Sequence, residues 1–147
     1  MRVYDTHDNW DHRFLDLAKV IGSWSKDPST QVGAVVADIL HRVRSHGYNG
    51  FARGVDDTIL TREQKLARTI HAERNALHFA TFDITGCTIY VTHPPCSNCA
   101  ADIIQRGLTR VVFDEPSDDF LSRWQTSYEE AIKQLYEAQV HIQQRRM

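Results

Sequence analysis

Long apolar segments are missing from this 147-residue sequence, and no run approaches the roughly 18 residues that a membrane-spanning helix requires. The opening segment, MRVYDTHDNW, also lacks the apolar centre of a secretory signal. Neither sign of charge dominates, because 17 basic and 19 acidic side chains give a formal net charge of −2. This balance provides no broad attraction to nucleic acid or anionic membranes. We therefore expect a cytoplasmic protein with neither a membrane nor a nucleic acid as its partner.

Cysteine is also scarce, and the three residues present, Cys87, Cys96 and Cys99, cannot all pair with one another. In a cytosolic chain, the C-x-x-C spacing of Cys96 and Cys99 is more typical of metal binding or redox chemistry than of a structural disulfide. The sequence shows no internal repeat, low-complexity tract or linker. Its length and its hydrophobic content of 41% predict a single globular domain over residues 1–147.

Hydrophobic periodicity predicts helices that alternate with strands. Apolar residues three or four apart from Trp10 to Ile21 indicate an amphipathic helix that ends near Gly22. The other predicted helices lie at 62–67 (a single turn), 72–82, 96–107 and 118–139. The predicted strands lie at 32–38, 41–50 (ending in a turn), 86–93, 108–114 and 140–144. Helical crossovers between apolar strands predict an α/β fold with three α/β/α layers and a mixed sheet.

A metal site is predicted where two of the helices begin. Cys96 and Cys99 share a face at a helix start, where the helix dipole favours the thiolate that binds metal. Two thiolates make half of a tetrahedral zinc site, and His71, at the start of the preceding helix, is the natural third ligand. Glu73 does not share a helix face with His71, but both can reach a site beyond the helix end. Three ligands with an open fourth position are typical of a catalytic zinc, at which Glu73 would transfer protons.

Two other interpretations of the cysteine pair remain open at this point. His93 or His78 could supply a fourth ligand and close a structural Cys2His2 zinc site. The pair could also act as a thioredoxin-like dithiol. The catalytic interpretation is favoured because H-A-E at 71–73 and P-C-S-N-C at 95–99 match the H-x-E and P-C-x-x-C pattern of zinc deaminases.

Together with longer segments, these motifs resemble the cytidine and deoxycytidylate deaminase family, and most of all its deoxycytidylate (dCMP) deaminase branch. The segments are WSKDPSTQVGAVV, GYNGFARGVDD and GCTIYVTHPPCSNCAADIIQRGLTRVV. The resemblance runs from about residue 17 to residue 113. It implies a cytidine-deaminase-like fold with a five-stranded mixed sheet, and one catalytic Zn²⁺ in each subunit.

The resemblance also implies a reaction, which is the hydrolytic deamination of dCMP to dUMP with release of ammonia, supplying thymidylate synthesis. Asn49 matches the family's asparagine that contacts the sugar 3′-hydroxyl. The backbone at Ala72 matches the segment that faces the pyrimidine carbonyl, and Lys26 is a candidate for contact with the phosphate. A pyrimidine deoxynucleotide is therefore the implied partner, together with further copies of the chain in a homo-oligomer, a hexamer or a dimer.

Three alternative functions stay open beside this one. The substrate could be another cytosine nucleoside or nucleotide, such as dCTP or a 5-modified dCMP. It could instead be a base extruded from a nucleic acid, although the charge of −2 argues against this. Finally, the zinc could stabilise a binding module without activity, but such a module has no use for the carboxylate of Glu73.

Overall fold

The computed structural model describes residues 3–58 and 60–147. Within these residues, one sheet contains the strands β1 (Tyr4–Asp5), β2 (Gly33–Ala37), β3 (Val43–Tyr48), β4 (Thr88–Val91), β5 (Arg110–Asp114) and β6 (His141–Arg145). The helices are α1 (Asn9–Gly22), α2 (Arg62–Arg68), α3 (Ala72–Phe79), α4 (Ser97–Gln105) and α5 (Asp118–Glu137). None of the described helices combines the length and hydropathy needed to cross a bilayer.

The sheet is mixed, with the strand order β1-β6-β5-β4-β2-β3. The pairs β4–β5, β5–β6 and β6–β1 are parallel, whereas β2 is antiparallel to both β4 and β3. The predicted α/β architecture with a mixed sheet is confirmed, but the sheet has six strands where five were predicted. The additional strand is β1, and its two residues are too few to produce an alternating hydrophobic pattern.

Helices cover both faces of the sheet. On one face, α1 contributes Phe14 and Leu15 to a core that includes Val35 and Val112. On the other face, residues of α3, α4 and α5 form the larger core cluster with the opposite sides of the strands. Strand β2 is buried along its whole length, because both faces are covered there. This arrangement gives the three predicted layers.

The ends of the helices differ from the predictions by a few residues. Helix α3 stops at Phe79 rather than at residue 82, because Ala80 leaves the helical conformation (φ −85°, ψ 88°). Helix α2 is longer than the single predicted turn. Its start is stabilised by a capping box, in which Thr61 accepts a hydrogen bond from the backbone of Gln64 and the Gln64 side chain accepts one from the backbone of Thr61.

Close packing against β3 sets the position of α3. A Cβ atom added to Gly47 would lie 2.5 Å from the backbone nitrogen of Ala76 and 2.7 Å from the carbonyl oxygen of Ala72. Such distances are too short for any side chain, so the backbone of the helix rests directly on the strand. The side chain of Asn75 adds a hydrogen bond of 2.8 Å to the carbonyl oxygen of Tyr48. The first turn of α3 is thereby fixed against the end of β3.

Candidate active site

The start of α3 presents His71 beyond the end of the helix. His71 is the N-cap residue, its backbone is extended (φ −66°, ψ 153°), and its side chain makes no capping hydrogen bond. The preceding residue, Ile70, is held by an isolated bridge to Gly50, with N···O distances of 2.8 and 3.1 Å. The imidazole is therefore directed away from the helix while its backbone is anchored on both sides.

The start of α4 presents the two cysteines in a similar way. Cys96 is the N-cap residue, and its sulfur accepts a hydrogen bond from the backbone nitrogen of Cys99 at 3.4 Å. Cys99 follows in the first turn and is fully buried. Both sulfurs thus lie at the amino end of the helix, where the helix dipole stabilises negative charge. This is the placement that the C-x-x-C spacing predicted.

The two helix starts bring three potential metal ligands together. The Nδ1 atom of His71 lies 3.5 Å from the sulfur of Cys96 and 3.4 Å from that of Cys99, and the three ligand atoms all lie within 4.8 Å of one another. One imidazole nitrogen and two thiolates within this span suit a tetrahedral zinc ion that keeps one position for a non-protein ligand. The residues present therefore fit zinc.

The alternative of a closed structural site is not supported. In the parts of the chain that the structure describes, the metal-binding group has three members, and neither His78 nor His93 belongs to it. His78 is exposed in the last turn of α3, at the opposite end from His71. The Nδ1 atom of His93 lies 2.9 Å from the hydroxyl oxygen of Thr92. An isolated dithiol is also disfavoured, because the imidazole of His71 contacts both sulfurs.

The protonation of the three ligands is linked. Hydrogen bonds from Cys99 and His71, against the opposing effect of burial, lower the pKa of Cys96 to about 4. The hydrogen bond to Cys96, with burial, raises the pKa of Cys99. The hydrogen bond with Cys96 raises the pKa of His71. Metal binding requires deprotonated ligands, so the metal displaces these protons and its affinity depends on pH.

Glu73 lies in the first turn of α3, beside these ligands but outside the group that they form. Its side chain is buried, with a relative exposure of 4% for the residue. Burial raises the pKa of Glu73 to about 7, since the charged form is poorly solvated there. Among the described residues, no lysine or arginine forms an ion pair with it. The carboxyl group is therefore available to exchange protons.

Of the residues that the resemblance assigned to the substrate, Ala72 adjoins His71 in the chain, and Asn49 precedes Gly50, which pairs with Ile70. Ala72 is buried as the first residue of α3, and Asn49 is buried immediately after β3. The Asn49 side chain accepts a hydrogen bond from the backbone of Val32 at 2.9 Å and donates one to the carbonyl oxygen of Thr30 at 2.9 Å. Asn49 thus holds the segment between α1 and β2, residues 23–32, which we call loop 23–32.

Lys26 projects from loop 23–32 into solvent. Its side chain is 90% exposed, and its ammonium nitrogen lies 4.0 Å from a carboxylate oxygen of Asp57. A surface pair of this kind contributes little to stability, so the lysine can exchange this partner for another anion. Lys26 therefore lies on the same loop that Asn49 holds from the end of β3.

One polar contact of this loop was not predicted from the sequence. Lys65 of α2 donates a hydrogen bond of 2.9 Å to Asp27, which also accepts hydrogen bonds from the backbones of Ser29 and Thr30. Burial opposes the ionisation of Asp27, but these hydrogen bonds outweigh it and lower the pKa of the carboxyl group. The contact joins residues 38 positions apart, so no local pattern in the sequence could have indicated it.

Comparisons with known proteins agree on one family. A family model for the cytidine and deoxycytidylate deaminase zinc-binding region matches residues 8–115. The chain is 54% identical to an uncharacterized deaminase of Aliivibrio fischeri, over 78% of this chain and 79% of that protein. It is 37% identical to the deoxycytidylate deaminase of Mus musculus, over 74% of this chain and 66% of the mouse protein. About a third of the mouse protein therefore lies outside the match.

The fold also matches a solved structure. A cyanophage S-TIM5 dCMP deaminase, crystallised with dCMP and dUMP, superposes with a TM-score of 0.75 and 22% sequence identity. The match covers 97% of this chain and 99% of that chain. At this level of identity the comparison establishes a shared fold over the whole length described.

Proposed function

The chain belongs to the cytidine and deoxycytidylate deaminase family, and from this premise we propose that it hydrolyses dCMP to dUMP and ammonia. One observation carries the proposal: His71, Cys96 and Cys99 form a three-membered ligand group beside Glu73, which is buried and uncoordinated. A structural zinc is closed by four protein ligands, whereas a catalytic zinc keeps a position for water. The mouse relative and the cyanophage protein, both named for dCMP, support this choice of substrate.

In the proposed reaction, the three ligands hold the metal and Glu73 moves the protons. When bound, zinc supplies the Lewis acidity that brings the pKa of a water molecule towards about 7. Glu73 accepts the proton of the attacking water as a general base. It then delivers this proton to N3 of the ring, takes the second proton of the water from the hydroxyl group formed at C4, and delivers that proton to the departing amine as a general acid. The carboxyl group can serve in both directions because no cation among the described residues holds it in an ion pair.

We assign the positioning of the nucleotide to Asn49, Ala72 and Lys26. The support for Asn49 is its location, since the next residue, Gly50, pairs with the residue before His71. Its amide nitrogen uses one proton for Thr30, which leaves the other for a sugar hydroxyl. Ala72 adjoins His71 and Glu73 in the chain, and Lys26 offers a solvent-exposed ammonium group to a phosphate.

The proposal extends to the setting of the reaction. The product dUMP would supply thymidylate synthesis in the cytoplasm, and residues 1–147 would act as one deaminase unit. We also propose a homo-oligomer, because large apolar side chains are exposed near β3, among them Trp24, Tyr48 and Phe79. The mass of the protein in solution tests this last point.

A substrate panel tests the proposed activity. The zinc-loaded protein is incubated with cytosine, deoxycytidine, dCMP, dCTP and a short single-stranded DNA, and the release of ammonia is followed. We expect the highest kcat/KM for dCMP. A higher kcat/KM for another member of the panel would identify that compound, rather than dCMP, as the preferred substrate.

The same assay tests the role of the metal site. Cys99→Ala removes one of the three ligands, so elemental analysis is expected to show loss of zinc, with ammonia release falling to background. Cys87→Ala is the matched control, because Cys87 is also buried but lies outside the ligand group. Full activity of the zinc-depleted Cys99→Ala protein would contradict the proposed mechanism.

A further inference from the structure

Helix α2 is attached to the protein by polar contacts. None of its residues is buried, so it has no apolar side chain in either core cluster. Lys65 contacts Asp27 at 2.9 Å and Ser29 at 3.3 Å, and the side chains of Lys65 and Asp27 are only 27% and 13% exposed. Arg68 donates a hydrogen bond of 2.9 Å to the carbonyl oxygen of Asp56. The position of α2 relative to loop 23–32 therefore depends on Lys65.

Asp27 stabilises the turn of loop 23–32 through hydrogen bonds to the backbone of the loop. Its Oδ1 atom accepts hydrogen bonds from the backbone nitrogens of Ser29 at 2.8 Å and Thr30 at 3.1 Å. Lys65 donates to the same oxygen, so one carboxylate joins the turn of the loop to the helix. On its other side the loop is tied to β3, because Ser25 donates a hydrogen bond of 2.7 Å to the carbonyl oxygen of Asn49. The loop is thus held between α2 and the end of β3.

Loop 23–32 also borders the metal-binding region. Asn49, which is hydrogen-bonded to Ser25, Thr30 and Val32 of the loop, precedes Gly50, and Gly50 pairs with the residue before His71. Helix α2 ends at Arg68, three residues before His71. A shift of α2 or of the loop would therefore change the approach to the proposed metal centre.

From these contacts we propose that Lys65 is a positioning residue for the nucleotide. It holds Asp27, and through Asp27 it holds loop 23–32 in the conformation that receives the phosphate end of the substrate. This inference rests on the proposed deamination of dCMP and adds to it a residue outside the sequence motifs. Lys65 contacts the loop rather than the reacting atoms, so its loss affects the binding of the nucleotide more than the chemical step.

Steady-state kinetics with dCMP test this role. Lys65→Met removes a charged hydrogen bond from a partly buried pair. We therefore expect KM to rise about tenfold while kcat stays within about a factor of two. Lys65→Arg keeps the charge and the donor, so it should recover most of the lost affinity. Lys133→Met is the matched control, because it removes a lysine from the exposed surface of α5. The Asp27→Asn/Lys65→Met double variant should show little further increase in KM.

A structural readout accompanies the kinetics. Hydrogen exchange at the amides of Ser29 and Thr30 should be faster in Lys65→Met than in the wild-type protein, with zinc content and melting temperature unchanged. An unchanged KM in Lys65→Met, or a parallel fall of kcat and melting temperature, would overturn the positioning role. If the wild-type protein releases no ammonia from dCMP, the proposed function fails and this inference fails with it. If the wild-type protein deaminates dCMP and Lys65→Met does so with the same KM, the proposed function stands and the inference about Lys65 fails.

Discussion

Two buried carboxyl groups occupy equivalent places in the protein and have opposite surroundings. Asp11 lies in the first turn of α1 and Glu73 in the first turn of α3, and their relative exposures are 1% and 4%. Asp11 accepts hydrogen bonds from Arg110 through both of its oxygens, from Thr6 at 2.5 Å and from Tyr90 at 3.0 Å. Among the described residues, no lysine or arginine is paired with Glu73, and its carboxyl group is hydrogen-bonded to the Cys99 side chain and to its own backbone nitrogen.

The electrostatic consequences are opposite. Burial by itself would raise the pKa of Asp11, but the hydrogen bonds and charge of Arg110, with the hydroxyl of Thr6, lower it. At Glu73, burial dominates and the pKa is raised. A carboxylate that stabilises the fold is paired with a cation that keeps it ionised, whereas a buried carboxyl group without a lysine or arginine can change its protonation near neutral pH. The comparison therefore separates a structural acid from the proposed catalytic one.

The largest effect is expected from Glu73→Gln. This change keeps the shape of the side chain but removes the proton-transfer group, so kcat should fall by about 10²- to 10⁴-fold. The free energy of unfolding should change little, because no ion pair is broken. Turnover with dCMP, elemental analysis for zinc and urea unfolding measure the three quantities. Activity close to that of the wild type would remove Glu73 from the proposed role.

Asp11→Asn should give the reverse result. It leaves the partly buried guanidinium of Arg110 without its carboxylate, so the free energy of unfolding should fall by about 3 kcal/mol near neutral pH, with kcat nearly unchanged. The pKa of Asp11 is lower in the folded protein than its ordinary value of 3.8. The contribution of Asp11 to the free energy of unfolding is therefore complete above pH 3.8. It is lost as the pH falls through the folded-state pKa of Asp11.

Urea unfolding at two pH values checks this sign. The difference in unfolding free energy between the wild-type protein and Asp11→Asn should be large near pH 7 and should shrink as the pH falls below 3.8, through the lowered folded-state pKa of Asp11. A difference that stays constant would show that the ion pair is not its source. Asp16→Asn is a matched control, because Asp16 lies on the same helix with a side chain that is 69% exposed.

The smallest effect is expected from Arg106, which contacts the carboxyl end of α3, the helix that begins beside Glu73. Arg106, the C-cap residue of α4, donates hydrogen bonds to the carbonyl oxygens of Leu77 at 2.6 Å and Ala80 at 2.7 Å. It thereby joins the far ends of the two helices that carry the ligands. Arg106→Met should weaken zinc binding by less than the roughly tenfold that loss of a group bonded to a metal ligand causes, because Arg106 lies at the helix ends opposite to the ligands.

Competition with a chelator measures this change in affinity. Arg74→Met is the control, because the Arg74–Asp102 ion pair also joins α3 and α4 but has nearly half-exposed side chains. Equal zinc affinity in Arg106→Met and the wild type would show that the helix starts are positioned without this contact.

The comparison also explains what the sequence could and could not predict. The ligand group and Glu73 lie within two short motifs, each at the start of a helix, so local spacing was enough to identify them. The Asp11–Arg110 pair joins residues 99 positions apart and leaves no local pattern. The amphipathic stripe of α1 even favoured Trp10 as a core residue, yet Trp10 is 38% exposed and stacks on His41, while the neighbouring Asp11 is buried.

The same limit applies to the architecture. Periodicity identified the helices and the longer strands because each has a continuous buried face. Strand β1 could not be found in this way, since its two residues are ordered by pairing with β6 near the other end of the sequence. Lys65 and Asp27 were missed for a related reason, because their contact depends on how two surface segments meet.

The contact at Gly47 has a consequence for the proposed metal site. Main-chain atoms, rather than interlocking side chains, set the height of α3 above the sheet. Any side chain at position 47 would push α3 away from the sheet and move the imidazole at position 71 with it. The geometry of the metal-binding corner therefore depends on a residue that contacts no ligand.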